Sequence, residues 1–261
     1  MNKAILLFLL LIPLKIFSEE CFIVTDLQSD KILYIDNKDL ANRSLFPGSL
    51  LKAFTILSLD NNSEDITYSC TGWEFEATRC WSREGHGGIN LIQALAYSCN
   101  SFFLQYLEGK LTINNYYKTL SKYLNFSGNI MKNEFLKQSI GLGTSIKTTP
   151  INILLSYNKI FREKPKGIEI IRQGMKESTY YGTGKAFTDI TDIWEAGAKT
   201  GTSYHINPDG TLDWKSNTGW FLILYPADEP KYSFLKVIEQ SKSELAVKEG
   251  SKEFLRWLNG I

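Results

Sequence analysis

The segment FPGSLLKAFTIL, residues 46–57, is the stretch from which the rest of the chain can be interpreted. A Pro-Gly break precedes Ser49, and the apolar run that follows predicts a helix over residues 49–59. Lys52 comes three residues after Ser49, and on a helix this spacing places both side chains on one face, one turn apart. A serine hydroxyl is a poor nucleophile at neutral pH and needs a base within hydrogen-bond reach. The segment therefore predicts an activated serine at the start of a helix.

The Ser-x-x-Lys spacing occurs three times in the chain, and context separates the copies. The three pairs are Ser49–Lys52, Ser156–Lys159 and Ser233–Lys236. The last pair lies in a strand pattern, where residues three apart point to opposite faces. The middle pair lies within a predicted helix and has no chain break before it. Only Ser49 opens a helix, where the helix dipole favours developing negative charge, so Ser49 is the predicted nucleophile and Lys52 its base.

A second motif, Lys199-Thr200-Gly201, occurs once and lies on a predicted strand. Lys52 must be neutral to act as a base, so its pKa must fall from about 10.4. Burial and a nearby cation such as Lys199 would both lower it. We expect Gly201 to let a substrate backbone approach closely. The backbone N–H of Thr202 can then stabilise an oxyanion beside that of Ser49.

A third motif is Ser98-Cys99-Asn100, within a predicted helical stretch over residues 91–107 that is interrupted near Ser98. The Ser98 hydroxyl can relay a proton from Lys52 to a leaving amine, and the Asn100 amide can hold a substrate peptide group. The same spacing recurs at Ser127–Asn129 and Ser156–Asn158. Ser98 is preferred because its helix–loop–helix context places Phe102 and Phe103 to pack beneath it.

Strands are predicted near both ends of the chain, with helices between them. The predicted strands cover residues 21–26, 31–36, 198–203, 219–225 and 232–239, and a turn is predicted at 207–210. The predicted helices cover residues 49–59, 91–107, 113–123, 150–161 and 243–258. This order predicts one sheet built from both termini, with a helical region inserted and a cleft between the two.

The ordered set Ser-x-x-Lys, Ser-x-Asn and Lys-Thr-Gly resembles the signature of penicillin-binding proteins and serine β-lactamases. The flanking residues resemble a penicillin-binding transpeptidase domain over about residues 47–226. They are Pro47-Gly48-Ser49, Cys80-Trp81, Gly85-His86-Gly87, Ser98-Cys99-Asn100-Ser101-Phe102-Phe103, Gly141-Leu142-Gly143, Thr149-Pro150 and Ala198-Lys199-Thr200-Gly201-Thr202-Ser203.

The resemblance implies an α/β fold of the β-lactamase and transpeptidase type. We expect an antiparallel sheet of about five strands flanked by helices, with an all-helical subdomain at roughly residues 60–195. By the same resemblance, Ser49 would form an acyl-enzyme with the penultimate D-Ala of a peptidoglycan stem peptide, and β-lactams would acylate it. Lys52 would be the base, with Ser98 and Asn100 assisting. Lys199 and Thr200 would bind the terminal carboxylate. No cofactor is implied.

Two other functions share these motifs. A class D-like serine β-lactamase has the same first and third motifs but an apolar residue where Asn100 stands. A catalytically weak β-lactam-sensing or wall-binding module would form a long-lived acyl-enzyme without acting on stem peptides. Large members of the resembled family also carry an N-terminal pedestal domain, and we expect none in the short segment before Ser49.

The N-terminus predicts export. Lys3 precedes an apolar run over residues 4–14 that only Pro13 interrupts. This run is shorter than the roughly 20 residues of a membrane span and is typical of a signal peptide, here residues 1–18. Residues 19–261 would then form a single periplasmic or cell-envelope domain. An uncleaved membrane anchor and a buried first strand or helix are the alternatives.

The four cysteines fit an oxidising compartment. Cys70 and Cys80 bracket a short loop and are the predicted disulfide, with free thiols as the alternative. Cys21 follows two acidic residues, which disfavours a lipid anchor there. Because no two cysteines have C-x-x-C spacing and the chain has only two histidines, we expect no metal site.

The bulk composition is that of a globular protein. Of the 261 residues, 43% are hydrophobic and 22% are charged, enough for one sizeable core or two subdomains that share a cleft. The formal net charge of +1 gives no basic footprint for nucleic acid.

Overall fold

A five-stranded antiparallel sheet forms the centre of the molecule. The computed structural model describes residues 18–60, 65–72, 80–206 and 212–260. Its strands are β1 (Glu20–Asp26), β2 (Ile32–Ile35), β3 (Tyr68–Cys70), β4 (Gly87–Ile89), β5 (Gly197–Ile206), β6 (Leu212–Tyr225) and β7 (Tyr232–Glu239). The large sheet has the order β2-β1-β7-β6-β5, and β3 pairs with β4 in a small separate hairpin. The sheet confirms the predicted architecture.

The pairing of β1 with β7 joins the two ends of the chain. Ile23 lies opposite Leu235, and β1 also pairs with β2 through the predicted hairpin. The predicted signal peptide and the predicted turn at 207–210 fall on residues outside the described part of the chain. Among the described residues, no helix is both long and apolar enough to cross a membrane.

Alternation along the strands divides the buried side chains between two faces of the sheet. One face carries Cys21, Ile23, Leu222, Leu224, Leu235 and Val237, which join the core of the helical region. The other carries Phe22, Val24, Phe221, Ile223, Phe234 and Ile238, which pack with Phe187 and Phe254. Helices therefore cover both faces.

Helices predominate in the described chain between the first hairpin and β5. This region is not all-helical as expected, because the β3–β4 hairpin lies within it. They are α1 (Lys38–Ala41), α2 (Leu51–Leu57), α3 (Leu91–Ala96), α4 (Asn100–Leu107), α5 (Ile113–Tyr123), α6 (Phe135–Ser139), α7 (Pro150–Glu163), α8 (Ile168–Tyr180) and α9 (Lys185–Thr191). Helix α10 (Ser243–Leu258) closes the chain, and short 3-10 turns occupy Gly48–Leu50 and Lys132–Glu134. The predicted helix over 91–107 is indeed divided near Ser98.

Helices α8 and α9 were not predicted from the sequence. Gly174 lies inside α8, and a glycine in a helix interior lowers intrinsic helix stability. In the structure a Cβ at this position would lie 2.9 Å from the Leu95 Cβ and 3.1 Å from the Ile92 carbonyl oxygen. Gly174 thus allows α8 to cross α3 at close range, so tertiary packing rather than local propensity favours the helix.

Candidate active site

Ser49 lies in the 3-10 turn that leads into α2, held close to strand β5. Gly48 before it has φ +56°, and a Cβ there would lie 2.5 Å from the carbonyl oxygen of Thr202. A Cβ on Gly141 would meet the Gly48 carbonyl oxygen at 2.0 Å. The Tyr157 hydroxyl donates to the carbonyl oxygen of Leu50 at 2.8 Å. These close backbone approaches fix the turn that presents Ser49.

Lys52 is completely buried and contacts the predicted nucleophile. Its Nζ lies 2.7 Å from Ser49 Oγ and 2.8 Å from Asn100 Oδ1. Burial lowers the pKa of Lys52 to about 7, because desolvation disfavours the charged form. A large fraction of Lys52 is therefore neutral near pH 7 and can accept a proton from the Ser49 hydroxyl.

Ser98 lies between two lysines at the junction of α3 and α4. Its backbone has φ +52°, an uncommon conformation for a non-glycine residue. Its Oγ is 3.4 Å from Lys52 Nζ and accepts a hydrogen bond from Lys199 Nζ at 2.8 Å. Phe102 and Phe103 are fully buried in α4, as the sequence predicts. The structure thus connects Ser49, Lys52, Ser98 and Lys199 in one polar chain.

Lys199 is also buried, on the edge strand β5. Its Nζ donates to the Thr200 carbonyl oxygen at 2.8 Å as well as to Ser98. Burial, followed by the charge of Lys52, holds the pKa of Lys199 well below its ordinary value. The lysine whose pKa a neighbouring lysine lowers is therefore Lys199, and not Lys52 as expected from the sequence.

Gly201 has a role in the fold that the sequence does not indicate. A Cβ at Gly201 would lie 2.9 Å from the Pro47 carbonyl oxygen and 3.4 Å from Leu50 Cγ. The glycine therefore lets β5 approach the turn around Ser49, and the space it opens is filled by the protein's own backbone. Thr202 lies beside this turn, and its Oγ1 accepts a hydrogen bond from the Ser243 backbone N–H at 3.2 Å.

Thr183 is a site residue that the sequence analysis missed. Its Oγ1 lies 2.6 Å from Thr200 Oγ1, and its backbone N–H donates to the Ala96 carbonyl oxygen at 3.1 Å. A Cβ on the preceding Gly182 would lie 2.3 Å from that same carbonyl oxygen. The run Gly182-Thr183-Gly184 is the signal that could have indicated this close backbone approach.

Four further residues, which no sequence motif groups together, meet beside Ser98. Cys70, Cys80, His86 and Cys99 place their ligating atoms within 4.8 Å of one another. All are cysteine or histidine, the residue types that hold zinc in structural sites. The expectation of no metal site rested on spacing, which is irregular here because the end of β3, the segment before β4 and the N-cap of α4 each supply part of the set.

The predicted Cys70–Cys80 disulfide is not formed in the structure. Cys21, Cys70, Cys80 and Cys99 are all buried free cysteines. The sulfurs of Cys70 and Cys80 are both 3.5 Å from Nδ1 of His86, so the imidazole lies against both thiols.

Comparison with solved structures defines the class of fold. The chain is similar to the penicillin-binding protein PBP2 of Helicobacter pylori in its complex with MreC, with a TM-score of 0.75 and 20% identity over 93% of this chain and 61% of that one. It is also similar to the transpeptidase domain of Burkholderia pseudomallei penicillin-binding protein 3, with a TM-score of 0.73 and 16% identity over 92% of this chain and 88% of that one. The fold is that of a penicillin-binding transpeptidase domain.

The family model for the penicillin-binding protein transpeptidase domain matches residues 20–256, so the chain belongs to this family. The chain spans 55–61% of the length of the first three solved chains it resembles. No curated protein sequence matches it significantly.

Proposed function

We propose that this protein is an exported serine-type DD-peptidase, a transpeptidase or carboxypeptidase that acts on D-Ala-D-Ala stem peptides. The observation that carries the proposal is the 2.7 Å distance between Ser49 Oγ and the Nζ of buried Lys52. With its pKa lowered to about 7, Lys52 can accept the hydroxyl proton as the nucleophile attacks.

In the proposed acylation, Ser49 Oγ bonds to the carbonyl carbon of the penultimate D-Ala while its proton passes to Lys52 Nζ. The carbonyl oxygen becomes an oxyanion. Backbone N–H groups of Ser49 and Thr202 would donate to it, which is consistent with the close packing of the Gly48 turn against Thr202. The C–N bond to the terminal D-Ala then breaks, which leaves Ser49 acylated.

The leaving amine needs a proton as the C–N bond breaks. Ser98 lies 3.4 Å from Lys52 Nζ and 2.8 Å from Lys199 Nζ, so its hydroxyl can relay the proton from Lys52 to the amine. An acceptor amine completes transpeptidation and water completes carboxypeptidation. In either case Lys52 removes the proton of the incoming nucleophile and returns it to Ser49 Oγ.

Strand β5 provides the proposed carboxylate site. Lys199 supplies Nζ–H donors, and a bound carboxylate would favour its charged form. Thr200 supplies a hydroxyl whose position is fixed by Thr183. A β-lactam presents a carboxylate next to a strained amide and would acylate Ser49 by the same steps. Asn100 favours a DD-peptidase over a class D-like β-lactamase, because its Oδ1 contacts Lys52 where that class has an apolar residue.

Intact mass after incubation with benzylpenicillin tests this function, with the chain and Ser49→Ala measured in parallel. We expect one stable penicillin adduct on the chain and none on the variant, while circular dichroism shows both folded. An adduct that persists in Ser49→Ala would refute Ser49 as the nucleophile. If neither protein carries an adduct, rapid nitrocefin turnover would indicate a β-lactamase, and no turnover an inactive site.

Export is tested separately by cell fractionation and by the N-terminal sequence of the mature protein. We expect the protein in the periplasm or cell envelope, with residues 1–18 removed. Recovery in the cytoplasm with the initial residues intact would contradict the export prediction.

A further inference from the structure

The cluster of Cys70, Cys80, His86 and Cys99 takes no part in the proposed acyl transfer. We propose that these four residues bind one zinc ion, and that the ion fixes the Ser98–Asn100 segment against Lys52 and Lys199. The effect on acylation rests on the proposed function, whereas metal binding does not.

Three of the distances between the ligating atoms match a tetrahedral site, and all four atoms lie within 4.8 Å of one another. Zn–S bonds of about 2.3 Å and Zn–N bonds of about 2.0–2.1 Å put two tetrahedral sulfurs about 3.8 Å apart and a sulfur and nitrogen about 3.6 Å apart. Cys80 Sγ lies 3.7 Å from Cys99 Sγ. Nδ1 of His86 lies 3.5 Å from both Cys70 Sγ and Cys80 Sγ. A disulfide would instead need two sulfurs about 2.05 Å apart.

The backbone around the cluster brings the ligands together without the ion. Cys70 pairs with Gly87 in the β3–β4 hairpin, and the backbone N–H of His86 donates to the Cys70 carbonyl oxygen at 3.0 Å. A Cβ on Gly85 would lie 2.1 Å from that oxygen, so only glycine allows this approach. The backbone N–H of Cys80 donates to the Gly72 carbonyl oxygen at 3.2 Å.

The environment of the cluster suits a closed structural site. The three cysteines are almost completely buried, with exposures of 1%, 2% and 0% for Cys70, Cys80 and Cys99. The His86 ring is stacked on Tyr97 at 4.7 Å and lies 5.2 Å from the ring of Trp81. Three thiolates and one imidazole favour zinc over the hard cations Mg²⁺ and Ca²⁺, which prefer oxygen ligands.

Cys99 connects the cluster to the proposed catalytic groups. It is the residue between Ser98 and Asn100, and its Sγ caps α4 by accepting from the Phe102 backbone N–H at 3.4 Å. A zinc–thiolate bond at Cys99 would tie this helix start to the β3–β4 hairpin. Ser98 has the uncommon φ of +52°. Fixing the neighbouring Cys99 would therefore hold the Ser98 Oγ between Lys52 and Lys199. Cys99 is thus assigned as a positioning residue.

The test measures bound metal and acylation separately, on the full chain purified without chelators. Elemental analysis by mass spectrometry should find one zinc per chain, and Co²⁺ exchanged into the site should give the absorption of tetrahedral cobalt with thiolate ligands. Cys80→Ser and His86→Gln should lose the zinc. Cys21→Ala, which removes a buried cysteine of β1 outside the cluster, should retain it.

Removal of zinc from the unmodified chain avoids variants that fail to fold. Dialysis against a chelator should lower the benzylpenicillin acylation rate by about tenfold, the lower end for perturbing the surroundings of a metal site, and added zinc should restore it. Circular dichroism should show that the chelated chain stays folded. If the rate is unchanged when zinc is gone, the ion has no positioning role and that part of the proposal is wrong.

The remaining outcomes separate this proposal from the function. A chain without zinc whose intact mass is two hydrogens lower would carry a disulfide in place of the metal site. Free thiols without zinc would refute the site as well. Zinc on a chain that benzylpenicillin never acylates would leave the site standing and refute the function, and Ser49→Ala should hold zinc like the unmodified chain.

Discussion

Two buried lysines with the same Ser-x-x-Lys spacing show how context decides chemistry. Lys52 and Lys236 both have almost completely buried side chains. Lys236 makes ion pairs with Glu253 at 2.8 Å and Glu20 at 3.0 Å, and these carboxylates raise its pKa despite its burial. Lys52 contacts two hydroxyls and an amide, and its pKa falls to about 7. Burial without a carboxylate lowers the pKa of Lys52, whereas two carboxylates keep the buried Lys236 a structural cation.

The serines of the two pairs differ in the same way. Ser49 Oγ lies against its own lysine. Ser233 Oγ instead donates to Asn158 Oδ1 at 2.6 Å and lies 2.6 Å from Thr25 Oγ1. On strand β7 residues three apart point to opposite faces, so Ser233 cannot reach Lys236. The helical turn at Ser49 allows the contact that the strand forbids.

Replacing each lysine with methionine should give the largest difference. Lys52→Met should lower the benzylpenicillin acylation rate by about 10³-fold or more, because general base assistance contributes roughly 10²–10⁴-fold. Lys236→Met should change that rate by less than about threefold. Stopped-flow or quenched-flow acylation of both variants measures the contrast. Equal losses of acylation rate in the two variants would contradict the assignment of Lys52, rather than Lys236, as the catalytic base.

Replacing the serine of each hydrogen-bond network should give the next largest difference. Ser98→Ala removes the hydroxyl between Lys52 and Lys199 and should slow acylation by about 10–100-fold. Ser233→Ala removes the buried hydroxyl that donates to Asn158 Oδ1 and contacts Thr25 Oγ1. It should lower the free energy of unfolding by about 1–3 kcal/mol with acylation unchanged. Chemical denaturation and acylation kinetics on both variants check this, and a catalytic loss in Ser233→Ala would contradict it.

The pH dependence of acylation reports the protonation of Lys52. The lysine accepts a proton only when neutral, so below its pKa of about 7 the acylation rate should fall about tenfold per pH unit. Above that pH the rate should level off. Lys236→Met, which leaves Lys52 in place, should give the same profile. A rate independent of pH between 5 and 8 would argue against Lys52 as the base.

The two lysines should affect stability with opposite pH dependence. The pKa of Lys52 is lower in the folded than in the unfolded chain. Between about pH 7 and the unfolded pKa, folding therefore releases the Lys52 proton. The contribution of Lys52 to folding stability becomes more favourable as pH rises through that window. The pKa of Lys236 is raised, so its contribution is complete below the unfolded pKa and is lost as pH rises through the folded pKa.

Thermal and denaturant unfolding of Lys52→Met and Lys236→Met tests this contrast. At pH 7, Lys52→Met should stabilise the fold by on the order of 1 kcal/mol, because it removes an active-site amine whose burial is costly. Lys236→Met should destabilise the fold by about 1–3 kcal/mol. The loss is limited because Glu20 is half exposed, so solvent weakens its ion pair with Lys236. The stabilisation in Lys52→Met should shrink at pH 9. A destabilised Lys52→Met would show that its burial is not costly.

Local sequence patterns were sufficient for most secondary structure near the site. The break before Ser49, the interruption near Ser98 and the alternation in β7 are encoded within a few residues, and the structure reproduces each. Helix α8 was missed because Gly174 lowers its local propensity, and its favourable packing depends on α3, far away in the sequence. The close approach of Gly201 to the Pro47 carbonyl oxygen could not be predicted, because the two residues lie on distant segments of the sequence.

The sequence by itself determined the fold class and the set of groups that can carry acyl transfer, because the order of three motifs and the local rules of helix and strand are written along the chain. Only the tertiary structure decided which lysine is a base, since that depends on burial and on whether carboxylates such as Glu20 and Glu253 come near. It also brought Cys70, Cys80, His86 and Cys99 together at metal-binding distances. Distances through space and the loss of solvent arise only when distant segments pack, and these two quantities set both the pKa values and the ligand geometry.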